Sequence, residues 1–346
     1  MFETKNMSYY LFLFSVIFIS SYFATQVKNT FNTNDDYEMI KKYLLNDSPL
    51  YGFNKPKIWI HTKYPVNARV WKDFYSRNTT DLNQPYIHLT VKTIINHCGN
   101  DFNVCLIDDE TFSKLIPSWD IDLNNVAEPM KSQIREIGLL QLVYYYGGMV
   151  LPNSFVCLKN LKQMYDDGLA TSGVFFCEKV NNSLNLQKHT QRASFVPGLN
   201  IYGAQKNSET IKEFIEYLKK NALSNYFSSE SEFLGVASEW CIDMAAKGKV
   251  SIVDGSLVGV KSAKNKPLLI EDLMSEDYLD LNKNIYGIHI PSDELLRRPK
   301  YSWFCVMNGE QLLDTSLIIA KYIKASIVDT TNEYYASTER KSVVAI

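Results

Sequence analysis

The chain has 346 residues, enough for one large domain or two small ones. At 46% hydrophobic and 21% charged it has the makings of an ordinary globular core. Its 36 basic and 38 acidic side chains nearly cancel, which leaves no electrostatic footprint for nucleic acid and excludes that partner. The 22 tyrosines and 18 phenylalanines serve core packing first, although aromatics also line sugar sites.

The first element is apolar. No charge falls between Lys5 and Lys28, and Ser8 to Ala24 is dense in Tyr, Leu, Phe, Val and Ile. A membrane span needs about 20 predominantly apolar residues, with about 17 as the lower limit, and this run reaches it. A cleaved signal peptide is the alternative, since Ser20 to Thr25 contains small residues. The run is longer than a typical signal core, which favours an uncleaved anchor. Residues 1–28 are therefore expected to form a membrane anchor and 29–54 a stem. Residues 55–329 form the main domain, and 330–346 a flexible tail.

Lys57 to His61 (KIWIH) reads as a short strand after Pro56. Pro85 opens an amphipathic helix with Ile87, Val91, Ile94, Ile95 and Cys98 at helical spacing, closed by Gly99. Asn103 to Ile107 is a buried strand, and strand, helix, strand in this order predicts a parallel pair. Asp108-Asp109-Glu110 reads as the acidic cap of a helix starting near Thr111, with a metal cluster as the rarer alternative. Asp120-Ile121-Asp122 spells Asp-x-Asp but sits in a loop bounded by Pro, Trp and Asn.

A helix-length run begins after Pro129, turns almost wholly apolar from Ile137 and stops at Gly147-Gly148. Glycine takes the left-handed conformation there without a Cβ penalty. Met149 to Leu151 is long enough for one buried strand. Pro152-Asn153-Ser154 is a polar break, and Phe155 to Leu158 a second apolar run. Ligands of open α/β sheets sit at the carboxyl ends of such strands.

Phe155 to Leu161 and Ser172 to Glu178 read as further strand elements, and Asn181 to Ala193 as a polar loop. Phe195 to Ala204 leads into a helix capped by Ser208, with Ile211, Phe214, Ile215 and Leu218 on one face. A second helix near Ser231 to Lys247 carries Phe233, Val236, Ala237, Trp240 and Met244 at core spacing and ends at Gly248. Lys249 to Val253 and Asn284 to Ile290 are late strands. The second carries His289 and is followed by Arg297, Arg298 and Lys300. Asn308 caps a last helix that turns Leu312, Leu313, Ile319, Ala320 and Ile323 inward. None of the six cysteines forms a CxxC pair or sits at zinc spacing. Their even count permits disulfides in a lumenal protein; buried single thiols fit as well, because Cys105 and Cys157 lie in apolar runs.

The stretch from Pro129 to Leu161 resembles the core of the sugar transferases of glycosyltransferase family 32 and the related capsular polysaccharide synthesis proteins. In these a helix ending in Tyr-Gly-Gly runs into a strand with an Asp-x-Asp or Asp-x-Thr tip. Tyr146-Gly147-Gly148 and Met149-Val150-Leu151 match the first parts. The resemblance runs from about Lys57 to Tyr217, and the Asn/Lys/Ile/Tyr-rich composition is compatible with a member encoded by a large DNA virus. It implies an α/β fold: a GT-A-like, Rossmann-like mixed sheet flanked by helices, here behind an N-terminal transmembrane helix. It also implies a nucleotide-sugar donor and a glycan or glycoprotein acceptor. With the anchor, the expected setting is a single-pass, type II-like protein of a lumenal, Golgi-like or viral membrane.

The residues that would meet the donor follow from the same resemblance. His61 and Thr62 stand where the family has His-Gln, Glu136 stands at its acidic helix position, and Asn200 matches an Asn of a later segment. Asn153 and Ser154 form the tip, while His289, Arg297 and Lys300 are placed to meet the diphosphate. The pattern departs at three positions. Leu139 replaces an arginine, and Pro152 and Ser154 replace the two carboxylates that would hold a divalent metal such as Mn²⁺. Hard cations want oxygen ligands, preferably charged, so no metal or other cofactor is expected, and no catalytic residue is assigned. The alternative is a catalytically inactive relative kept as a glycan-binding or structural membrane or virion component.

Overall fold

The computed structural model describes residues 55–63, 84–181, 194–224 and 229–327. The expected anchor, the stem, the tail and most of the polar 181–193 loop lie outside these residues. No helix among the described residues is long and apolar enough to cross a membrane.

Strand β1 (Lys57–His61) and β2 (Asn103–Ile107) form a parallel pair joined through helix α1 (Ile87–Cys98), in the register Lys57 to Asn103 through His61 to Ile107. A short α2 (Thr111–Leu115) then leads to the long α3 (Met130–Tyr146), which feeds β3 (Gly148–Pro152). Strand β3 lies on the other side of β1, again parallel, with His61 opposite Pro152. The chain therefore leaves β1 on one side and returns on the other. In open α/β sheets that reversal opens a crevice at the carboxyl ends of the strands.

The remaining strands make the sheet mixed, as expected. β5 (Val174–Val180) follows α4 (Lys162–Leu169), and β6 (Phe195–Ala204) inserts antiparallel between β3 and β5. Helices α5 (Glu209–Ser224) and α6 (Glu230–Ala246) precede β7 (Ser251–Val253), which pairs parallel to β5. The sheet order is β2-β1-β3-β6-β5-β7. A separate two-stranded sheet joins β4 (Phe155–Cys157) antiparallel to β8 (Gly287–His289), so the chain just past the β3 tip is tied to a segment some 130 residues on. Short helices follow: α7 (Ile270–Leu273), α8 (Ser292–Arg297), α9 (Ser302–Val306) and α10 (Gly309–Leu313), then α11 at 318–327.

The core lies between the sheet and α3, α5 and α6. Trp59, Leu140, Val143, Phe176, Tyr202, Phe214 and Phe233 are buried together, and Phe214 stacks on Trp240 with ring centroids 4.2 Å apart. The turn from α3 into β3 needs both glycines. Gly147 has φ 70° and ψ −173°, and Gly148 has φ 102°. A Cβ on Gly148 would stand 2.2 Å from the carbonyl oxygen of Lys57 on the neighbouring β1. The Trp59 indole N–H donates to the Gly147 carbonyl at 3.0 Å and fixes the turn against β1.

One expectation changes and one open reading is decided. The last helix is broken: α10 stops at Leu313, where the Thr315 hydroxyl takes the Leu312 carbonyl at 2.7 Å and the Ser316 hydroxyl goes to Glu276. Such side chains compete with the helical ladder, so a second helix restarts at 318. Asn308 caps α10 as expected, accepting from Gln311 N–H at 2.8 Å. Of the two readings of the cysteines, buried thiols hold, since all six are free and buried. Cys98 on α1 and Cys157 on β4 touch, with Sγ atoms 3.8 Å apart.

Candidate functional site

A cavity of about 520 Å³ opens at the carboxyl ends of β1 and β3. β1 supplies His61, and the residues after it, Thr62 and Lys63, continue the wall. α3 supplies Arg135, Glu136 and Leu139, and β3 with its tip supplies Val150 to Asn153. β5 and β6 contribute Lys179 and Asn200, the start of α6 contributes Glu230 and Ser231, and the β8–α8 segment contributes His289, Asp293 and Arg297. Seven of the nine residues expected at the donor site thus line one cavity: His61, Thr62, Glu136, Asn153, Asn200, His289 and Arg297.

Ser154 and Lys300 do not line it. Ser154 lies in the turn between β3 and β4; it is fully buried, and its hydroxyl donates to the Ile290 carbonyl at 2.6 Å. Lys300 is exposed beyond the end of α8, with its ammonium 5.2 Å from the Tyr301 ring centroid.

The tip is held by the chain around it. The Thr90 hydroxyl of α1 donates to the Asn153 carbonyl at 2.6 Å, and the Ile290 N–H donates to the Ser154 carbonyl at 3.2 Å. These bonds use up tip oxygens. Proline has no side-chain ligand, Ser154 faces away, and Asn153 offers only a neutral amide. This donor set does not suit a hard divalent cation. Among the described residues no group of three or more His, Cys, Asp or Glu side chains is placed to hold a metal.

One wall of the cavity is anchored by Asp109. Arg135 grips it with two hydrogen bonds, Nε to Oδ1 at 2.8 Å and a terminal nitrogen to Oδ2 at 2.6 Å. His61 Nε2 lies 3.0 Å from Oδ1, and the His61 ring stacks on Phe112 at 5.4 Å. Burial lowers the His61 pKa more than Asp109 raises it, so the ring is neutral and its Nε2–H donates to the carboxylate. Burial works to raise the Asp109 pKa, but the bonds from His61 and Arg135 outweigh it and hold the carboxyl well below the ordinary range. Asp108 is the residue that caps α2, accepting from Thr111 N–H at 3.0 Å and from its hydroxyl at 2.7 Å. Asp122 likewise accepts from Asn124 N–H at 3.0 Å in a short loop helix.

A second ionic group runs through Lys63. Its ammonium is 3.0 Å from Asp293 and 3.8 Å from Glu230, and Glu230 in turn is 4.0 Å from Arg297. Burial lowers the Lys63 pKa, but Asp293, Glu230 and Glu136 together hold it above the ordinary lysine value. Glu136 has no such strong partner. Burial pushes it up to about 7, against the pull of Lys63, and its Oε2 is buried without a hydrogen-bond partner among the described residues. The Tyr202 hydroxyl, whose titration senses Glu136, is likewise buried without a partner. His289 is held neutral, with its pKa lowered by burial to about 4, so it lines the cavity as a hydrogen-bonding group and not as a cation.

The sequence reading did not single out Lys63, Lys179, Glu230 or Asp293, and it took Asp109 for part of a helix-capping or metal cluster, whereas Asp109 binds Arg135 and His61. Lys179 had the most legible signal: a lysine inside the strand Val-Phe-Phe-Cys-Glu-Lys-Val, where long charged side chains are seldom buried.

No family model and no curated protein matches the chain. Among solved structures it is similar to mouse xyloside xylosyltransferase 1 in its apo form, at TM-score 0.43 and 8% identity over 69% of this chain and 98% of that one. It is similar to the galactosyltransferase LgtC in complex with donor and acceptor sugar analogs, at TM-score 0.41 and 11% identity over 79% and 95% of the two chains. It is also similar to the PaToxG glycosyltransferase, at TM-score 0.33 and 15% identity over 61% and 78%. Likenesses at this level carry no weight in reading the site, which stands on its own residues.

Proposed function

We propose that the chain is a GT-A-like glycosyltransferase that takes a sugar from a nucleotide-sugar donor to a glycan or glycoprotein acceptor, tethered to a membrane by the Ser8–Ala24 segment. The observation that carries this reading is the position of the cavity. It opens where the Tyr-Gly-Gly turn delivers the β3 tip beside the carboxyl end of β1, with Glu136 and Asn200 in its wall. Its volume of about 520 Å³ falls within the about 300–1,000 Å³ of small-molecule sites.

The departures from the family pattern favour a second reading. Leu139 offers no guanidinium, and the tip offers no carboxylate. A relative that has kept the cleft and lost the transfer step would bind a glycan and turn over nothing. One experiment separates the two: the full-length protein titrated calorimetrically with a panel of nucleotide sugars, with Mn²⁺ and with EDTA, alongside an assay of donor hydrolysis. Binding with release of the nucleoside diphosphate supports the transferase. Glycan binding without any nucleotide-sugar binding refutes it in favour of the second reading.

A further inference from the structure

Among the described residues four cations line the cavity, and three of them stand by carboxylates. Arg135 is locked to Asp109, Lys63 reaches Asp293 and Glu230, and Arg297 stands by Glu230. Lys179 differs. It is 7% exposed and lines the cavity, yet it makes no ion pair and no hydrogen bond among the described residues. Its neighbour Glu178 faces the other side of β5, where it takes Lys261 at 2.6 Å. Glu136 and Glu230 are close enough to bias Lys179, but neither touches it, and burial lowers its pKa below the ordinary lysine value.

The fold keeps this side chain where it is. The stem of Lys179 lies over Gly198 of β6, where an added Cβ would come 2.5 Å from Lys179 Cδ. A glycine within a strand marks such a close approach. Burying a charge without a partner is costly, and the cost is offset when a ligand brings the counter-charge. A compact ammonium with three donors suits the oxygens of a phosphate.

We propose that Lys179 is the centre of an anion subsite that takes the phosphate oxygens of a diphosphate, supplying the positive charge that the β3 tip cannot recruit as a metal. This rests on the nucleotide-sugar reading for the origin of the diphosphate, but the subsite itself can be tested without it. The probe is inorganic pyrophosphate, titrated in EDTA into the full-length protein, wild type and the variants Lys179→Met and Lys179→Arg, with UDP and GDP as further ligands. Wild type is expected to bind pyrophosphate without metal. Lys179→Met is expected to lose about tenfold or more in Kd, the equivalent of a charge-assisted hydrogen bond. Lys179→Arg keeps the charge and most of the affinity. Without ligand, Lys179→Met melts no lower than wild type, because it removes an unpaired buried charge. Should it melt lower, Lys179→Gln carries the same comparison. Unchanged pyrophosphate affinity in the neutral variants overturns the proposal, and so does binding that requires Mn²⁺. Lys179-dependent pyrophosphate binding with no affinity for any nucleotide or nucleotide sugar upholds the subsite and overturns the transferase reading.

Discussion

The turn from α3 into β3 sets where the β3 tip meets the cavity, and its two glycines allow a graded test. At Gly147 the backbone (φ 70°, ψ −173°) lies in a region that is essentially glycine's alone. An alanine there costs about 1–3 kcal/mol. At Gly148 the φ of 102° imposes a similar strain, and a second term adds to it. The new Cβ would stand 2.2 Å from Lys57 O, 2.9 Å from Lys57 C and 3.0 Å from Lys57 N. These are backbone atoms of the paired strand, so no rotamer change relieves the clash. Overpacking of this kind costs about 1–3 kcal/mol more. Gly248, at φ 72°, is the control, because nothing lies within 4 Å of its Cβ position. Its alanine costs only the left-handed penalty of about 1–2 kcal/mol. The expected order of destabilisation is Gly148→Ala, then Gly147→Ala, then Gly248→Ala. For Gly148→Ala a mid-range cost of about 4 kcal/mol lowers Tm by about 6–8 °C, taking about 2.1 cal/mol/K per residue over about 250–300 residues. Thermal melts and urea titrations of the three variants measure this. A Gly148→Ala protein melting within about 2 °C of wild type, or no more perturbed than Gly248→Ala, would refute the reasoning.

Two further predictions concern charge. Asp109→Asn leaves the buried Arg135 facing a neutral amide and should cost about 1–3 kcal/mol at pH 7, less than a fully buried pair because the Asp109 side chain is 22% exposed. Its folded pKa is depressed, so its contribution is present above the unfolded value near 4 and is lost as the pH falls below it. The gap to wild type should therefore shrink between pH 5 and pH 2 in urea titrations, and a constant gap would contradict the assignment. His289 has a folded pKa of about 4 against about 6.5 unfolded, so the unfolded state binds the proton first and stability falls as the pH drops from about 6.5 to 4. Replacing it in His289→Gln should flatten that acid limb, and parallel curves for the two proteins would count against a neutral buried ring.

Local patterns were legible where a local cause sets the structure. Lys57–His61 and Asn103–Ile107 stand at the boundaries their apolar runs imply, and α3 ends at the glycine pair because only glycine fits there. The sheet order was not legible beyond the β1–β2 pair. Inserting β6 antiparallel beside β3, and joining β4 to β8, depends on pairing between distant segments that no short-range period encodes. The site divides the same way. His61 and Asn153 sit at strand ends that the pattern locates, and both reach the cavity. Ser154, one residue on, is fully buried in the turn and does not line it. Lys300 follows an extended break after α8 and leaves the site that Arg297 reaches. Asp109 read as part of a capping triplet because its actual partner, Arg135, arrives from another element.

The ion pairs around the cavity differ in kind, and the difference bears on what a ligand can change. Asp109, Arg135 and His61 bring together the loop after β2, the helix α3 and the end of β1, with Arg135 and His61 buried. Removing a partner from such a group leaves a charge in a poor solvent, so the group holds its geometry. Lys63 and its acids are more exposed: the side chains of Lys63, Glu230 and Asp293 keep 27%, 26% and 41% of their surface. Pairs of this kind contribute about 0–1 kcal/mol each and are weakened by salt. A ligand entering the cavity would thus meet one part of the wall that is fixed, one lysine that makes no ion pair among the described residues, and one lysine whose carboxylates can be exchanged at little cost. Among the described residues, Arg135, Lys63, Arg297 and Lys179 keep positive charge in the cavity beside a tip that has no carboxylate. The part of that charge with no ion pair among the described residues is Lys179, whose stem packs over Gly198.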